Sequence, residues 1–311
     1  MIATGRIAAP LLVAAAMASP SLALAEDTFQ AETSLSYSRV RSDLSRSNTV
    51  NAQVIYFFDT LPVIKDYPLE QAQFVERIGS LSANYGQSSF GTDNVQKLSN
   101  GSSHGGTVLF TRPDSPLLLA ASYDSASSGK SRTTFASLPG SFFDFESETR
   151  FYDLAIGAYL DRTTALALDW SRSRTRGRTT SNFAPFPGFH DTFTSVSLSG
   201  QHLAQLAGGD HVAFIASVSR NTHEQDGAGS EKNRTVFLQA TYYPTKMLGL
   251  MLGVSSDRGD NRFSEGEFYL AAIRMFATPT LSLSLDFQKS HRKAPDATDF
   301  NFVTLKALVR F

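Results

Sequence analysis

The sequence predicts an all-β chain that forms a transmembrane antiparallel up-and-down β-barrel of about 14 strands (12–16). Apolar and polar residues alternate with a period of two along most of the chain. No stretch after residue 25 approaches the roughly twenty apolar residues that a spanning helix requires. The connections between the predicted strands also alternate between short and long, which is typical of barrels in outer membranes.

The N-terminal segment has the features of a secretory signal peptide. Arg6 is its one charged residue, an apolar run covers residues 10–18, and Ala23-Leu24-Ala25 forms an A-x-A cleavage site. We therefore expect a signal peptide over residues 1–25 and a barrel over residues 26–311. The predicted barrel, residues 26–311, lacks Arg6 and therefore has 27 basic and 29 acidic side chains. Its net charge of −2 argues against a nucleic-acid-binding protein. The chain has no cysteine, which excludes disulfides and thiolate chemistry.

The strands follow from the alternation, and the final one shows it most clearly. Apolar residues occupy every second position from Val303 to Phe311, while Thr304, Lys306 and Arg310 occupy the opposite face. The same pattern predicts strands near residues 28–40, 48–58, 76–89, 105–113, 116–126, 148–161, 163–175, 191–206, 210–222, 232–244, 247–257, 265–277, 280–290 and 299–311.

The lengths of the connections predict how the barrel is oriented. Short turns are predicted at 112–115, 161–163, 208–210, 244–246 and 278–280, and long loops at 90–104, 126–147, 176–190 and 223–231. Short turns belong at the periplasmic end of an outer-membrane barrel, with both termini beside them. The alternative is a soluble β-sandwich, but the apolar rows end in aromatic residues that suit the two interfacial girdles, namely Tyr37, Tyr56, Tyr85, Tyr123, Trp170 and Tyr242.

The closing residues Leu305, Val309 and Phe311 resemble the C-terminal β-signal of Gram-negative outer-membrane proteins. That resemblance implies recognition by the barrel-assembly machinery and a location in the bacterial outer membrane.

Basic residues continue the lipid-facing rows beyond the aromatic girdle toward the long-loop end. If strand geometry persists there, they point outward at the outer leaflet, whose lipopolysaccharide phosphates suit guanidinium groups. The predicted lipopolysaccharide contacts are Arg39, Arg41, Arg172, Arg174, Arg176, Arg220, Arg234 and Lys289. The alternative is that the loops lose strand phase there and the cations are simply solvated.

The opposite face of each strand predicts a hydrophilic lumen that contains both acids and bases, so that any ion preference would be weak. The predicted pore-lining residues are Glu32, Asn51, Gln53, Asn84, Asp124, Asp153, Asp169, Gln239, Arg274, Asp286, Lys306 and Arg310. Cross-strand pairing of Arg274 with Asp286 inside the wall is an open alternative to contact with a solute.

Two predicted loops, 126–147 and 176–190, are rich in phenylalanine. Their rings could constrict the lumen, pack against one another as a cap, or form an apolar entrance, and mutual packing is the simplest of these. The six histidines lack metal-ligand spacing and no G-x-S-x-G motif is present, so no catalytic residue, metal or cofactor is expected.

One further segment carries a resemblance to a known family. Residues 68–81, PLEQAQFVERIGSL, follow the aromatic end of a predicted strand and resemble a segment of a proteobacterial family of porin-like outer-membrane barrels. Pro68, Leu69, Ala72, Phe74 and Val75 suit a short amphipathic helix at the periplasmic rim. The resemblance implies a porin-like channel of unassigned solute.

Together, these features predict passive diffusion of small hydrophilic solutes through a barrel that contacts the bilayer and lipopolysaccharide, as a monomer or a trimer. The alternatives are a non-conducting surface barrel whose loops bind partners, and a gated channel for apolar small molecules.

Overall fold

The computed structural model describes residues 28–42, 45–62, 66–92, 95–134, 142–182, 188–226, 229–259, 265–292 and 299–311. The predicted signal peptide, residues 1–25, lies outside these ranges.

A closed antiparallel barrel of fourteen strands confirms the predicted fold class. Each strand pairs with its neighbours in sequence, and β1 pairs with β14 to close the cylinder. The strands are β1 Thr28–Arg41, β2 Ser45–Pro62, β3 Ser80–Thr92, β4 Val95–Thr111, β5 Leu117–Thr134, β6 Phe142–Tyr159, β7 Thr164–Ser181, β8 Phe189–Gln205, β9 His211–Gln225, β10 Gly229–Thr245, β11 Leu248–Gly259, β12 Gly266–Thr278, β13 Leu281–Arg292 and β14 Phe300–Arg310.

The predicted long loops are wrong over most of their length, because the strands continue into them. β3 and β4 pair through residues 90–104, and β5 to β8 occupy most of 126–147 and 176–190. β5, β6 and β7 have 18 residues each, well above the roughly ten that cross a bilayer. The hydrogen bonds between strands join backbone groups and do not depend on apolar side chains. Ser- and Thr-rich segments can therefore extend the barrel wall beyond the lipid.

Large apolar side chains cover the outside of the wall. Leu252 is 69% exposed, Leu198 59% and Leu305 56%, as expected for side chains that face lipid. Within the described ranges, no helix is long and apolar enough to cross a membrane.

The first and last strands close the barrel with both backbone and side-chain contacts. The amides of Gln30 and Ala31 donate to the Phe311 carbonyl at 3.0 and 2.8 Å, and the Phe311 amide donates to Ala31. Arg310 Nε donates to Glu32 Oε1 at 2.7 Å, and these two residues are direct partners in the register.

The segment between β2 and β3 contradicts two predictions. It contains a 3₁₀ turn, Leu69–Gln71, and one helical turn, α1 Ala72–Glu76, so β3 begins at Ser80 and not at residue 76. It also lies inside the barrel and not at the rim, because its apolar residues are buried against inward-facing side chains of the wall. We call residues 66–79 the plug segment.

Candidate functional site: the lumen and its plug

The plug segment crosses the bore from one side of the barrel to the other. It begins and ends on the neighbouring strands β2 and β3, yet the Leu69 amide donates to the Lys246 carbonyl at 3.0 Å. Lys246 lies in the turn between β10 and β11, half-way around a fourteen-strand barrel. Near its end, Arg77 adopts a left-handed conformation with φ of 54°, which returns the chain to the wall at β3.

Apolar contacts seat the plug at the periplasmic end. Ala72 and Val75 of α1 are 1% and 4% exposed. They belong to one buried cluster with inward-facing side chains from several strands, including Phe29, Phe57, Leu61, Leu203, Ala213 and Tyr243. Phe74 of α1 also packs against this cluster, and its ring centroid lies 5.5 Å from that of Tyr159. The hydrophobic effect therefore favours the docked position of the plug.

Polar contacts fix the plug against the far wall. Glu70 forms an ion pair with Arg274 of β12 and accepts a bond of 3.2 Å from the Tyr243 hydroxyl. Gln71 donates from Nε2 to Tyr243 at 2.7 Å, while Gln201 of β8 donates to Gln71 Oε1 at 2.9 Å. The buried side-chain amide of Gln71 is thus hydrogen-bonded through both its donor and its acceptor atom, which favours a single docked conformation of the plug.

Arg310 connects the barrel closure to the plug. Besides Glu32, its guanidinium donates to the Leu69 carbonyl at 3.2 Å. It lies between the rings of Phe29 and Phe276, at 4.4 and 4.6 Å from their centroids. Stacking and hydrogen bonding together hold this buried cation.

The periplasmic face of the plug is stabilised by Glu76. Its carboxylate accepts hydrogen bonds from the Tyr67 hydroxyl at 2.6 Å and from Arg162 at 2.9 Å. Burial, followed by the hydrogen bond to Glu76, raises the pKa of Tyr67 well above the ordinary tyrosine value.

The space around the plug is unequal at its two ends. The gap bounded by Glu70, Arg274 and Asp286 has a volume of about 10 Å³, which is close to the minimum for one water molecule. In the long-loop half, two cavities of about 460 and 510 Å³, lined by both charged and aromatic side chains, contact Asn233 and Arg292. A wider vestibule therefore lies on the long-loop side of the narrow gap beside the plug.

All twelve predicted pore-lining residues lie in the inward phase, opposite the exposed apolar rows. Their contact with a solute stays a prediction. Glu32, Arg274 and Arg310 contact the plug or the barrel closure. Arg274 and Asp286 are diagonal and not direct partners in the register, and Arg274 forms its ion pair with Glu70.

Two of the inward acids form hydrogen bonds within the wall. Asn84 of β3 donates to Asp124 of β5 at 3.0 Å, across Gly105 of the intervening strand. A Cβ at Gly105 would lie 1.9 Å from Asp124 Oδ1, so only glycine fits there. Asp169 accepts from the hydroxyls of Ser197 and Ser199 at 3.2 and 2.9 Å.

The eight predicted lipopolysaccharide contacts all continue the outward phase of their strands. Arg172 is half-buried and the other seven are exposed. Strand pairing persists at these positions, so the alternative in which the loops lose phase is wrong there. Contact with lipopolysaccharide stays a prediction.

The aromatic side chains that were assigned to loops are partly on strands. Phe145 of β6 and Phe189 of β8 point inward and stack with ring centroids 6.0 Å apart. Gly177 lies between them, and its missing side chain makes room for the Phe189 ring. Residues 135–141 and 183–187 lie outside the described residues.

Sequence analysis missed the residues that hold the plug: Glu70, Gln71, Gln201 and Tyr243. A signal was present at Phe57 and Tyr243, which place large rings in the inward phase of periplasmic strand ends. An aqueous pore does not require such residues, so their position indicates a buried partner. Phe29 gave no such signal, because it shares the parity of the outward Leu35 and turns inward only through the register shift between Phe29 and Ala31. Within the described ranges, no cluster of His, Asp or Glu side chains could hold a metal ion.

Comparison with solved structures shows similar folds at low sequence identity. The outer membrane protein Omp33 of Acinetobacter baumannii aligns with a TM-score of 0.54 and 16% identity, over 92% of this chain and 99% of that one. The Ralstonia pickettii toluene transporter TbuX gives a TM-score of 0.51 and 10% identity, over 91% and 90% of the two chains. A mutant of the monoaromatic hydrocarbon channel TodX gives 0.51 and 12%, over 92% and 91%.

No curated protein sequence matches this chain. The model of a family described as "putative general bacterial porin" matches residues 5–311, nearly the whole sequence. This match confirms the predicted resemblance and the location in the bacterial outer membrane, and it favours a channel over an enzyme. The chain belongs to this family of general bacterial porins.

Proposed function

We propose that the protein is an outer-membrane channel for small hydrophilic solutes in which the plug segment controls passage. Solutes enter the extracellular vestibule by diffusion, and they reach the periplasm when the plug leaves its seat. The plug-to-wall contacts across the bore carry this proposal, above all the bond from Leu69 to the β10–β11 turn.

The chemistry of the vestibule supports a hydrophilic solute. Asp191, Glu231, Asp257 and Arg292 line its two cavities, with hydroxyl groups of Ser173 and Thr175 among them. Phe193, Phe268, Phe300 and Phe302 also line these cavities. The charged and hydroxyl groups can replace the hydration shell of sugars, amino acids and small ions. Charges of both signs favour selection by size over selection by charge.

The contacts of the plug are noncovalent, so the closed position is reversible. The segment comprises few residues and is joined to adjacent strands, so its displacement requires no change in the barrel itself. The wall remains hydrogen-bonded on both sides of it. Local opening of this kind is the usual behaviour of a short element packed within a rigid frame.

A gated channel for apolar molecules is the second candidate. TbuX is described as a toluene transporter and TodX as a monoaromatic hydrocarbon channel, and this chain has their overall fold. The inward-facing stack of Phe145 and Phe189 offers an aromatic surface at the long-loop end. The phenylalanines of the vestibule add to that surface, and the charged side chains Asp191, Glu231, Asp257 and Arg292 favour hydrophilic solutes over this alternative.

Solute flux into liposomes tests both candidates. We would compare the chain from residue 26 with a variant in which residues 69–76 are replaced by a Gly/Ser linker of equal length. The control variant replaces the exposed turn residues 207–209 by Ser-Gly-Gly. The proposal predicts slow sugar entry for the parent and the control, and faster entry for the plug variant that declines with sugar size.

Two results would contradict the proposal. A folded plug variant that admits no sugar would favour a non-conducting surface barrel. Entry of toluene without entry of sugars, in the parent or the variant, would favour the apolar alternative.

A further inference from the structure

Three outward-facing arginines form a continuous row across neighbouring strands. Arg234 of β10 is the direct register partner of Arg220 on β9 and of Arg258 on β11. All three side chains are exposed and continue the lipid-facing phase of Val218, Val236 and Val254. The sequence pattern placed Arg220 and Arg234 near the outer leaflet, but only the register shows that the three lie side by side.

This arrangement is unfavourable for the protein alone. Side chains that are direct partners have Cβ atoms about 5 Å apart, and like charges at that spacing repel. Among the described residues, no acid lies within ion-pair distance of any of the three guanidinium groups. The row therefore has the charge and spacing to bind an external anion.

A second arginine cluster provides an internal comparison. Arg150 on β6 is the direct partner of Arg174 on β7, but Arg150 also forms an ion pair of 2.8 Å with Glu148. Glu148 is in turn the register partner of Arg176. That cluster is partly neutralised by the protein itself, whereas the row of Arg220, Arg234 and Arg258 is not.

An apolar groove lies on the same strands, toward the membrane interior. Large and small outward side chains alternate along one register row across β9 to β13: Phe214, Ala240, Leu252, Ala271 and Phe287. The alternation leaves an outward depression of about 750 Å³ that is almost entirely apolar. Lys289 lies at one edge, opposite Tyr269 in the next row.

The spacing of the two features matches an amphiphile. Arg234 and Ala240 are six residues apart on β10, which is about 20 Å along the strand. The groove faces the hydrocarbon and the arginines lie beyond it on the long-loop side, so an anion held there would belong to the outer leaflet. Guanidinium groups bind phosphate oxygens in pairs, which suits a phosphorylated headgroup.

We propose that Arg220, Arg234 and Arg258, with the groove below them, form a binding site for a phosphorylated multi-acyl lipid of the outer leaflet, with the chemistry of lipid A. The phosphate lies between the guanidinium groups and an acyl chain occupies the depression. The site is separate from the lumen and does not depend on whether the channel conducts.

Lipid titration of the refolded chain in detergent tests the site. The probes are bisphosphorylated hexa-acyl lipid A, the same lipid after removal of its phosphates, and inorganic phosphate alone. The parent protein is expected to bind the phosphorylated lipid at least tenfold more tightly than the dephosphorylated lipid. Arg220→Gln/Arg234→Gln/Arg258→Gln should abolish this preference. The matched triple Arg150→Gln/Arg174→Gln/Arg176→Gln should reduce it by a clearly smaller factor, because Glu148 already neutralises part of that cluster.

A groove variant tests the acyl part separately. Ala240→Phe fills the depression and should weaken lipid A binding severalfold without changing competition by inorganic phosphate. If a triple variant does not show the heat-dependent gel mobility of a folded barrel, the single Arg234→Gln replaces it. The proposal is overturned if the two triples lose equal affinity, if dephosphorylated lipid binds as tightly, or if inorganic phosphate competes as well as the lipid does.

Discussion

Glu70 of the plug segment and Arg274 of β12 form an ion pair inside the barrel, four to five strands around the wall from β2 and β3, which carry the plug. The carboxylate is 15% exposed and also accepts a bond from Tyr243, so it is largely shielded from water. This pair ties a short, displaceable segment to the rigid wall, and it is the contact whose loss should most directly open the channel.

Glu70→Gln should increase the open fraction of the channel. A hydrogen bond to a charged group contributes about 1.5–3 kcal/mol, so its loss corresponds to roughly a tenfold or greater change in the ratio of open to closed plug. Open probability in planar bilayers measures this directly. Arg292→Gln is the matched control, because Arg292 faces the vestibule and not the plug.

The reciprocal exchange Glu70→Arg/Arg274→Glu should restore part of the closed population. If the open probability of the double variant exceeds that of Glu70→Arg and that of Arg274→Glu, the ion pair is excluded as the gating contact.

Alkaline pH should weaken plug docking through Tyr67. Burial and the bond to Glu76 raise the pKa of Tyr67 in the docked plug, so the docked form retains the phenol proton that the released form loses. The stabilisation is complete below about pH 10 and declines by about 1.4 kcal/mol per pH unit above it.

Open probability recorded from pH 8 to 11 checks this dependence. Tyr67→Phe should remove part of the rise seen in the parent, whereas Tyr37→Phe, on the outer surface, should leave it unchanged. Identical pH profiles for the parent and Tyr67→Phe would show that Tyr67 has no part in docking.

Gly105→Ala should destabilise the barrel. The new methyl group would lie 1.9 Å from Asp124 Oδ1 and 2.5 Å from the Tyr123 carbonyl oxygen, which forces β4 and β5 to shift. Overpacking of this kind costs about 1–3 kcal/mol. Urea unfolding followed by gel mobility measures the loss, with Gly208→Ala as control, since a Cβ there meets no atom within 4 Å. Equal midpoints for the two variants would contradict the close approach.

Removal of the plug should leave a weakly cation-selective channel. Among the twelve predicted pore-lining residues, all of which lie in the inward phase, there are five acids (Glu32, Asp124, Asp153, Asp169 and Asp286) and three bases (Arg274, Lys306 and Arg310). The excess of two negative charges favours cations slightly. Reversal potentials in a salt gradient measure this preference, and Asp153→Asn/Asp169→Asn in the plug-free channel should bring them near zero. A strong anion preference would contradict the assigned inward charges.

Much of the wall could be predicted from the sequence because a strand exposes its faces in strict alternation. The alternation of apolar and polar residues from Val303 to Phe311, and the similar alternation in the other strands, predict the strand number. They also assign every predicted inward and outward residue to its correct face. The upper ends of the strands could not be predicted, since Ser- and Thr-rich stretches such as residues 126–134 lack an apolar face while their backbones still pair.

The plug could be located in the sequence but not placed in space. Residues 68–78 have the composition of a short amphipathic helix, and such a helix suits a rim as well as an interior. The inner surface against which the plug packs consists of residues far apart in the chain, including Phe29, Leu203 and Tyr243. Each of these fits an ordinary strand, and only the closed cylinder brings them together.

Single-channel conductance of residues 26–311 in planar bilayers, before and after residues 69–76 are exchanged for a Gly/Ser linker, tests the central claim most directly. The account predicts a parent protein that is closed for most of the record, with brief openings, and a variant with long, stepwise openings of one amplitude. Long openings in the parent that the exchange leaves unchanged would contradict the claim that the plug segment closes this channel.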